Sequence, residues 1–189
     1  VTEALPAEAR LPPLAPGLRI GLYGGSFNPA HAAHRAVSLM ALKRLGLDRV
    51  WWLVTPGNPL KDNGRLPPLA VRLAQARAIA RHPALVPTGL EAGLGTRYSY
   101  DTVAALVRRF PQVHFVWIMG ADNLASFHRW QHWQALARLV PIAVVDRAGC
   151  TLPAMGSPAA HALARWRRPE HEAPASPPCP RPPGCSCTG

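Results

Sequence analysis

A chain of 189 residues is long enough to bury one real core and short for two domains of ordinary size. Apolar residues make up 48% and charged residues 16%, a globular balance, and the formal charge of +11 invites an anionic partner: a nucleotide, RNA or an acidic membrane surface. Arginines such as Arg72, Arg77, Arg108 and Arg138 are dispersed rather than packed into one run, which argues against a nucleic-acid surface. No apolar run approaches the roughly 20 residues that span a bilayer, and residues 1–17 lack the apolar core of a secretory signal. Neither nucleic acid nor membrane is therefore expected as a partner, and the expected location is cytoplasmic.

Residues 1–17 carry Pro6, Pro12, Pro13 and Pro16 and read as an N-terminal extension, an extended arm packed on the surface or left free. Leu18 to Tyr23 is a short apolar run ending in glycines, and Ala30 to Leu45 has apolar residues at helical spacing, so the order is strand, loop, helix. A second strand, Arg49 to Val54, closes in Thr55-Pro56-Gly57-Asn58-Pro59, where two prolines and a glycine enforce a loop. A helix from about Leu69 to Arg81 ends at Pro83, and a short strand follows from Ala84 to Pro87. Ser99 to Phe110 is expected to be helical and Val113 to Met119 a β-branched and aromatic strand running into Gly120-Ala121-Asp122. Short helices around Leu124 to Ser126 and Trp130 to Ala137 lead to a last strand, Leu139 to Val145.

Strands alternating with helices imply right-handed βαβ units and a parallel sheet covered on both faces, an α/β doubly wound fold over residues 18–152. In such sheets ligands lie beyond the carboxyl ends of the strands. The loops after Tyr23, Val54 and Met119 all fall there. Residues 153–189 are expected to form an atypical Pro-rich tail without regular structure, above all from Pro169 onward. Cys150, Cys179, Cys185 and Cys187 include no Cys-x-x-Cys pair and are expected to be thiols without a role.

The chemistry concentrates in Gly24-Gly25-Ser26-Phe27-Asn28-Pro29-Ala30-His31-Ala32-Ala33-His34. Glycines at 24 and 25 let the main chain approach a phosphate, and the helix that follows directs unpaired N–H groups and a partial positive charge at the same place. His31 and His34, three residues apart, project from one helix face and can donate hydrogen bonds to phosphoryl oxygens as charge builds in a transition state. An isolated His-x-x-His would more often be a surface, core or metal pair. Its place after a strand and a Gly-Gly-Ser loop favours phosphate.

This stretch resembles the nucleotide-binding signature of the HxGH-type, cytidylyltransferase-like superfamily. Pro56-Gly57-Asn58-Pro59-Leu60-Lys61, Thr96-Arg97-Tyr98-Ser99-Tyr100-Asp101-Thr102, Met119-Gly120-Ala121-Asp122-Asn123-Leu124 with the downstream Trp130, and Val145-Asp146-Arg147-Ala148-Gly149 are similar to segments of bacterial nicotinate-nucleotide adenylyltransferases. The resemblance implies a Rossmann-like parallel sheet of about five strands, transfer of AMP from ATP to nicotinate mononucleotide, and magnesium entering with ATP, with no tightly bound organic cofactor. It implies phosphate or ATP contacts for Gly24, Gly25, Ser26, Phe27, Lys61, Asp122 and Arg147, and mononucleotide contacts for Asn58, Tyr98, Ser99 and Trp130. His31 and His34 are the candidate catalytic residues. Physical sense accompanies each role: an indole such as Trp130 can stack on an electron-poor pyridine, N–H groups near Tyr98 and Ser99 can hold its carboxylate, and Lys61 and Arg147 offer charge to phosphates. Plainer roles stay open, with Trp130 and Tyr98 as packing, Lys61 as a solvated lysine and Asp122 as a helix cap.

The chain departs from the family pattern twice. Position 33 is Ala33 where the family has glycine, and nothing after Thr151 matches the family's Ser-Ser/Thr-x-x-Arg segment, which clamps ATP phosphates. The expected partners are ATP and nicotinate mononucleotide, with the chain a monomer or homo-oligomer. The alternatives are a nucleotide-binding protein with weak catalysis, or an adenylyltransferase for nicotinamide mononucleotide or a phosphopantetheine-like acceptor.

Overall fold

The structure, a computed structural model, describes residues 10–57, 64–145 and 155–168. Five parallel strands, β1 (Arg19–Gly25), β2 (Arg49–Val54), β3 (Leu85–Thr88), β4 (His114–Gly120) and β5 (Ile142–Val145), form one sheet in the order β3-β2-β1-β4-β5. The register pairs Tyr23 with Trp52 on one side and with Ile118 on the other. The chain thus runs outward from β1 through β2 to β3, then returns to place β4 on the other side of β1. That reversal opens a crevice between the carboxyl ends of β1 and β4.

Alternation along the strands divides the core between the two faces of the sheet. Ile20, Leu22, Trp51, Leu53, Phe115, Trp117 and Met119 belong to one cluster, and Tyr23, Val50, Trp52, Val54 and Ile118 to the other. Helices α1 (Ala32–Leu45) and α2 (Leu69–Ala80) cover the second cluster through Val37, Ala41, Leu73 and Ala76. The first is covered by α3 (Leu90–Leu94), α4 (Ser99–Arg109), α5 (Ala121–Ser126), α6 (Trp133–Leu139) and a further short helix, α7 (Pro158–Leu163). Trp51, Trp52 and Trp117 are fully buried; truncating any one of them should cost about 3–5 kcal/mol. The doubly wound sheet of five strands expected from the alternation is the one observed.

Helix ends follow local chemistry. At the end of α1, Gly46 takes φ 57° and returns its N–H to the Leu42 carbonyl, closing the last turn. The α2 helix stops at Arg81, also left-handed, just before His82-Pro83. Three features differ from expectation. Helix α3 is unforeseen because five residues with two glycines nearby carry no periodic signal. The short helices near Trp130 fall at 121–126 and 133–139, since His132 leaves the helical region at φ 53°, and β5 begins only at Ile142.

The third difference concerns the tail expected from 153 onward, which carries α7. Ser157 caps it: its hydroxyl accepts from Ala160 N and donates to the Leu124 carbonyl of α5 at 3.2 Å, while Ala159 is buried. Pro158 at the first helical position needs no N–H partner, so a proline here starts structure instead of preventing it. Packed structure therefore continues past residue 152, and residues from 169 lie outside those described. At the other end, residues 10–17 pack on the domain, with Arg49 donating to the Pro13 carbonyl and Leu11 and Leu14 resting on the core. Among the described residues no helix is long and apolar enough to cross a membrane.

Candidate active site

The β1 loop runs from Gly24 to the start of α1. Gly24 is dictated by the core beside it: a Cβ there would lie 2.7 Å from the Trp117 ring. Phe27 holds a left-handed backbone at φ 45°, uncommon for a bulky residue, and its buried ring fixes it by stacking on Trp52 at 5.0 Å and 12°. The ring of His34 lies 4.8 Å from Phe27 and 3.9 Å from His31. The two histidines are thus neighbours, as their spacing implies.

His31 is the N-cap of α1, and its main-chain N–H donates to His34 Nδ1 at 3.3 Å. That bond makes Nδ1 an acceptor and holds the imidazole at the helix start. Behind the ring a buried relay holds the first turn: Trp52 Nε1 donates to Ser38 Oγ at 2.7 Å, and Ser38 Oγ donates to the His34 carbonyl at 2.8 Å. The first turn of α1 contains no acidic residue, and Lys43 and Arg44 lie in its last. No acidic side chain of the helix's own first turn offsets its positive end, which lies beside the exposed His31, an electrostatic setting suited to an anion.

Across the crevice, β4 runs directly into α5 with Gly120 as the N-cap. Asp122 is exposed in the first turn, where it also complements the helix dipole. Trp130 follows the 3-10 turn Phe127–Arg129; its half-buried ring meets Phe127 edge-on at 5.4 Å and Trp117 at 6.1 Å. Tyr98 is the N-cap of α4 and Ser99 its first residue, both half-buried. The Tyr100 ring lies 5.4 Å from His132, so the start of α4 sits beside the Trp130 segment. Sheet order thus brings Gly24, Gly25, Ser26, Phe27, His31 and His34 to one side of the crevice and Asp122 to the other. Asn58, Lys61 and Arg147 lie outside the described residues, as do all four cysteines.

Two buried ionisable residues escape a reading by motif. Arg72 is fully buried on α2 and donates to four main-chain carbonyls: Ser26 and Thr55 at 2.8 Å from Nη1, Pro56 at 3.3 Å from Nη2, and Pro67 at 2.9 Å from Nε. Burial pushes its pKa down from the ordinary guanidinium value. Its signal in the sequence is its place in the stripe 69-72-73-76-80, where a core side chain belongs. Glu91 on α3 is buried, and Thr102 Oγ1 donates to its Oε1 at 3.2 Å. Burial raises its pKa to about 7, against the opposing effect of hydrogen bonds from Thr55 and Thr102. No spacing marks Glu91 in advance.

Comparison with known proteins accords with this geometry. The cytidylyltransferase-like family model matches residues 22–188. A "Probable nicotinate-nucleotide adenylyltransferase" of Methylorubrum extorquens is 61% identical over 157 residues, covering 83% of this chain and 85% of the relative. Proteins of the same name from a Bradyrhizobium species and Cereibacter sphaeroides are 63% and 56% identical, each covering 82% of this chain and 81% of the relative. Among solved structures, Plasmodium falciparum nicotinic acid mononucleotide adenylyltransferase complexed with NaAD superposes with a TM-score of 0.63 at 19% identity, covering 70% of this chain and 66% of that one. A second structure of that enzyme, complexed with APC, gives a TM-score of 0.60 at 18% identity with the same coverage. At such identity the two structures speak to the fold alone, whereas the sequence relatives speak to membership. The chain belongs to the cytidylyltransferase-like family and, within it, to the bacterial nicotinate-nucleotide adenylyltransferases.

Proposed function

We propose that the chain transfers AMP from ATP to nicotinate mononucleotide. A phosphate oxygen of the mononucleotide attacks the α-phosphorus of ATP; the new P–O bond forms as the bond to the β-phosphate bridging oxygen breaks, giving nicotinate adenine dinucleotide and pyrophosphate. The attacking phosphate is already ionised, so catalysis rests on alignment and charge neutralisation rather than on a general base. The observation that carries the reading is the His31–His34 pair at the start of α1, rings 3.9 Å apart and joined by the His31 N–H on His34 Nδ1.

Gly24, Gly25, Ser26 and Phe27 would carry the phosphates on that side, and Asp122 would accept from the nucleoside across the crevice. Trp130 would stack on the pyridine while N–H groups near Tyr98 and Ser99 take its carboxylate. Asn58 is assigned to the same mononucleotide, and Lys61 and Arg147 to ATP phosphates, on resemblance alone. Magnesium would enter with ATP and neutralise its phosphates. Among the described residues no three His, Cys, Asp or Glu side chains cluster to hold a metal, so phosphate oxygens and water would supply most of its ligands. A cytoplasmic location belongs to the same reading.

The test is pyrophosphate release from ATP with nicotinate or nicotinamide mononucleotide as acceptor. Release with nicotinate mononucleotide preferred is the expected outcome. Preference for the nicotinamide form would overturn the substrate assignment, and nucleotide binding by calorimetry without release would overturn catalysis. His34→Ala should lower kcat about 100-fold or more with little change in ground-state affinity, because its hydrogen bond strengthens only as charge develops. An equal loss in affinity would remove the residue from that role.

A further inference from the structure

Arg72 lies beneath the β1 and β2 loops, buried, on α2. A single nitrogen, Nη1, donates to Ser26 in the first loop and to Thr55 in the second, both at 2.8 Å. The loops are also joined directly, Thr55 N–H donating to the Gly25 carbonyl at 3.0 Å. The remaining bonds of the guanidinium go to Pro56 and Pro67, which stand on either side of the connection from β2 to α2. A planar group with five donors can hold four carbonyls in fixed directions; an ammonium on one nitrogen cannot.

The bond to Ser26 has a consequence for the peptide that follows. The Ser26–Phe27 peptide is trans and planar, so a carbonyl turned inward to Arg72 turns the Phe27 N–H the opposite way, out of the core. Phe27 is also the residue with φ 45°, a backbone state that needs its surroundings to hold it. Stacking on Trp52 secures its ring, and Arg72 secures the peptide plane before it.

We propose that Arg72 is a positioning residue for adenylyl transfer: by holding the Ser26 and Thr55 carbonyls it presents the Phe27 N–H to the reacting phosphate. This rests on the reaction proposed above. It makes α2 part of the machinery through the main-chain carbonyls that Arg72 holds.

The experiment compares wild type and Arg72→Lys by steady-state kinetics and by amide hydrogen exchange of the full chain. In Arg72→Lys, kcat should fall about 100-fold while KM for nicotinate mononucleotide stays within about twofold, because a misplaced loop harms the transition state more than the distant pyridine contacts. Exchange in peptides covering residues 24–30 and 53–57 should quicken about tenfold, with the β4 peptide at 114–120 unchanged. Unaltered kcat or unaltered loop exchange overturns the proposal, as does acceleration that extends equally to β4, which marks plain destabilisation. Should wild type make no dinucleotide while the lysine variant loosens both loops selectively, the reaction assigned to the chain fails and the hold of Arg72 on the loops stands.

Discussion

Arg72 and Glu91, buried ionisable groups of opposite kinds, brace different segments around the carboxyl end of the sheet. Under the β1 and β2 loops the brace is Arg72, a cation that stays charged across the working pH range and spends its donors on four carbonyls. Under the turn into α4, where Tyr98 and Ser99 sit, the brace is Glu91, a carboxyl whose partner Thr102 belongs to α4 and also bonds Thr96 at 2.8 Å. Its pKa near 7 means that this brace changes charge within the range where the protein would work. The hold of Arg72 is thus expected to be indifferent to pH, and that of Glu91 on Thr102 of α4 and on Thr55 of the β2 loop sensitive to it. What separates them is that carbonyls suit a cation in every state, whereas burial favours the protonated form of a carboxyl even against hydroxyls that favour the ionised one.

The largest effect should come from removing the cation. Arg72→Met leaves four buried carbonyls to find other partners and should lower stability by about 3–5 kcal/mol, equally at pH 5 and pH 8 in urea unfolding. A loss that varies strongly between those two pH values would break the contrast. Next in size is Glu91→Gln. Unfolded, the carboxyl titrates near its ordinary 4.5; folded, near 7, so between them the native state holds a proton that the unfolded state has released. Stability conferred in the protonated form is therefore lost as pH rises from 4.5 through 7, by about 3 kcal/mol in total. The glutamine variant should be the more stable at pH 8, with a flatter slope between pH 5 and 8, and a slope identical to wild type would sink the assignment. Smallest is Thr102→Val, expected to cost about 1–2 kcal/mol, more at pH 8 than at pH 5 because an ionised Glu91 depends more on the hydroxyl. The reverse order would mean that Thr102 serves the protonated acid.

Much of this was legible in the residues. The strands announce themselves as apolar runs closed by glycine or proline, and the His31–His34 pair can be placed by spacing because a helix start fixes which side chains are neighbours. Trp130 stands out in the sequence as an aromatic after the Gly-Ala-Asp segment, whereas its edge-on packing against Phe127 and Trp117 depends on residues brought together by the fold. Helix α7 was hidden by the prolines around it, since a proline at a first helical position and one that forbids helix look alike until a cap and a surface to pack on are known. Glu91 was hidden for another reason, and so was the role of Arg72, whose place in the core stripe of α2 is the one signal it carries. A charged side chain reads as surface unless its partners are seen, and the partners of Arg72 are main-chain carbonyls, which no sequence pattern displays.

The sequence by itself determined the local order of elements, the glycine-bearing loop and the two histidines at one helix end, because these depend on spacing and on backbone preferences that act within a few residues. Only the tertiary structure decided which loops face one another. The order β3-β2-β1-β4-β5 places the loops after β1 and β4 on either side of one crevice, and the burial of Arg72 beneath the β1 and β2 loops and of Glu91 against Thr102 follows from contacts between residues apart in the chain. Electrostatics in a folded protein is set by what surrounds a charge, and for those two residues the surroundings exist only once the sheet has formed.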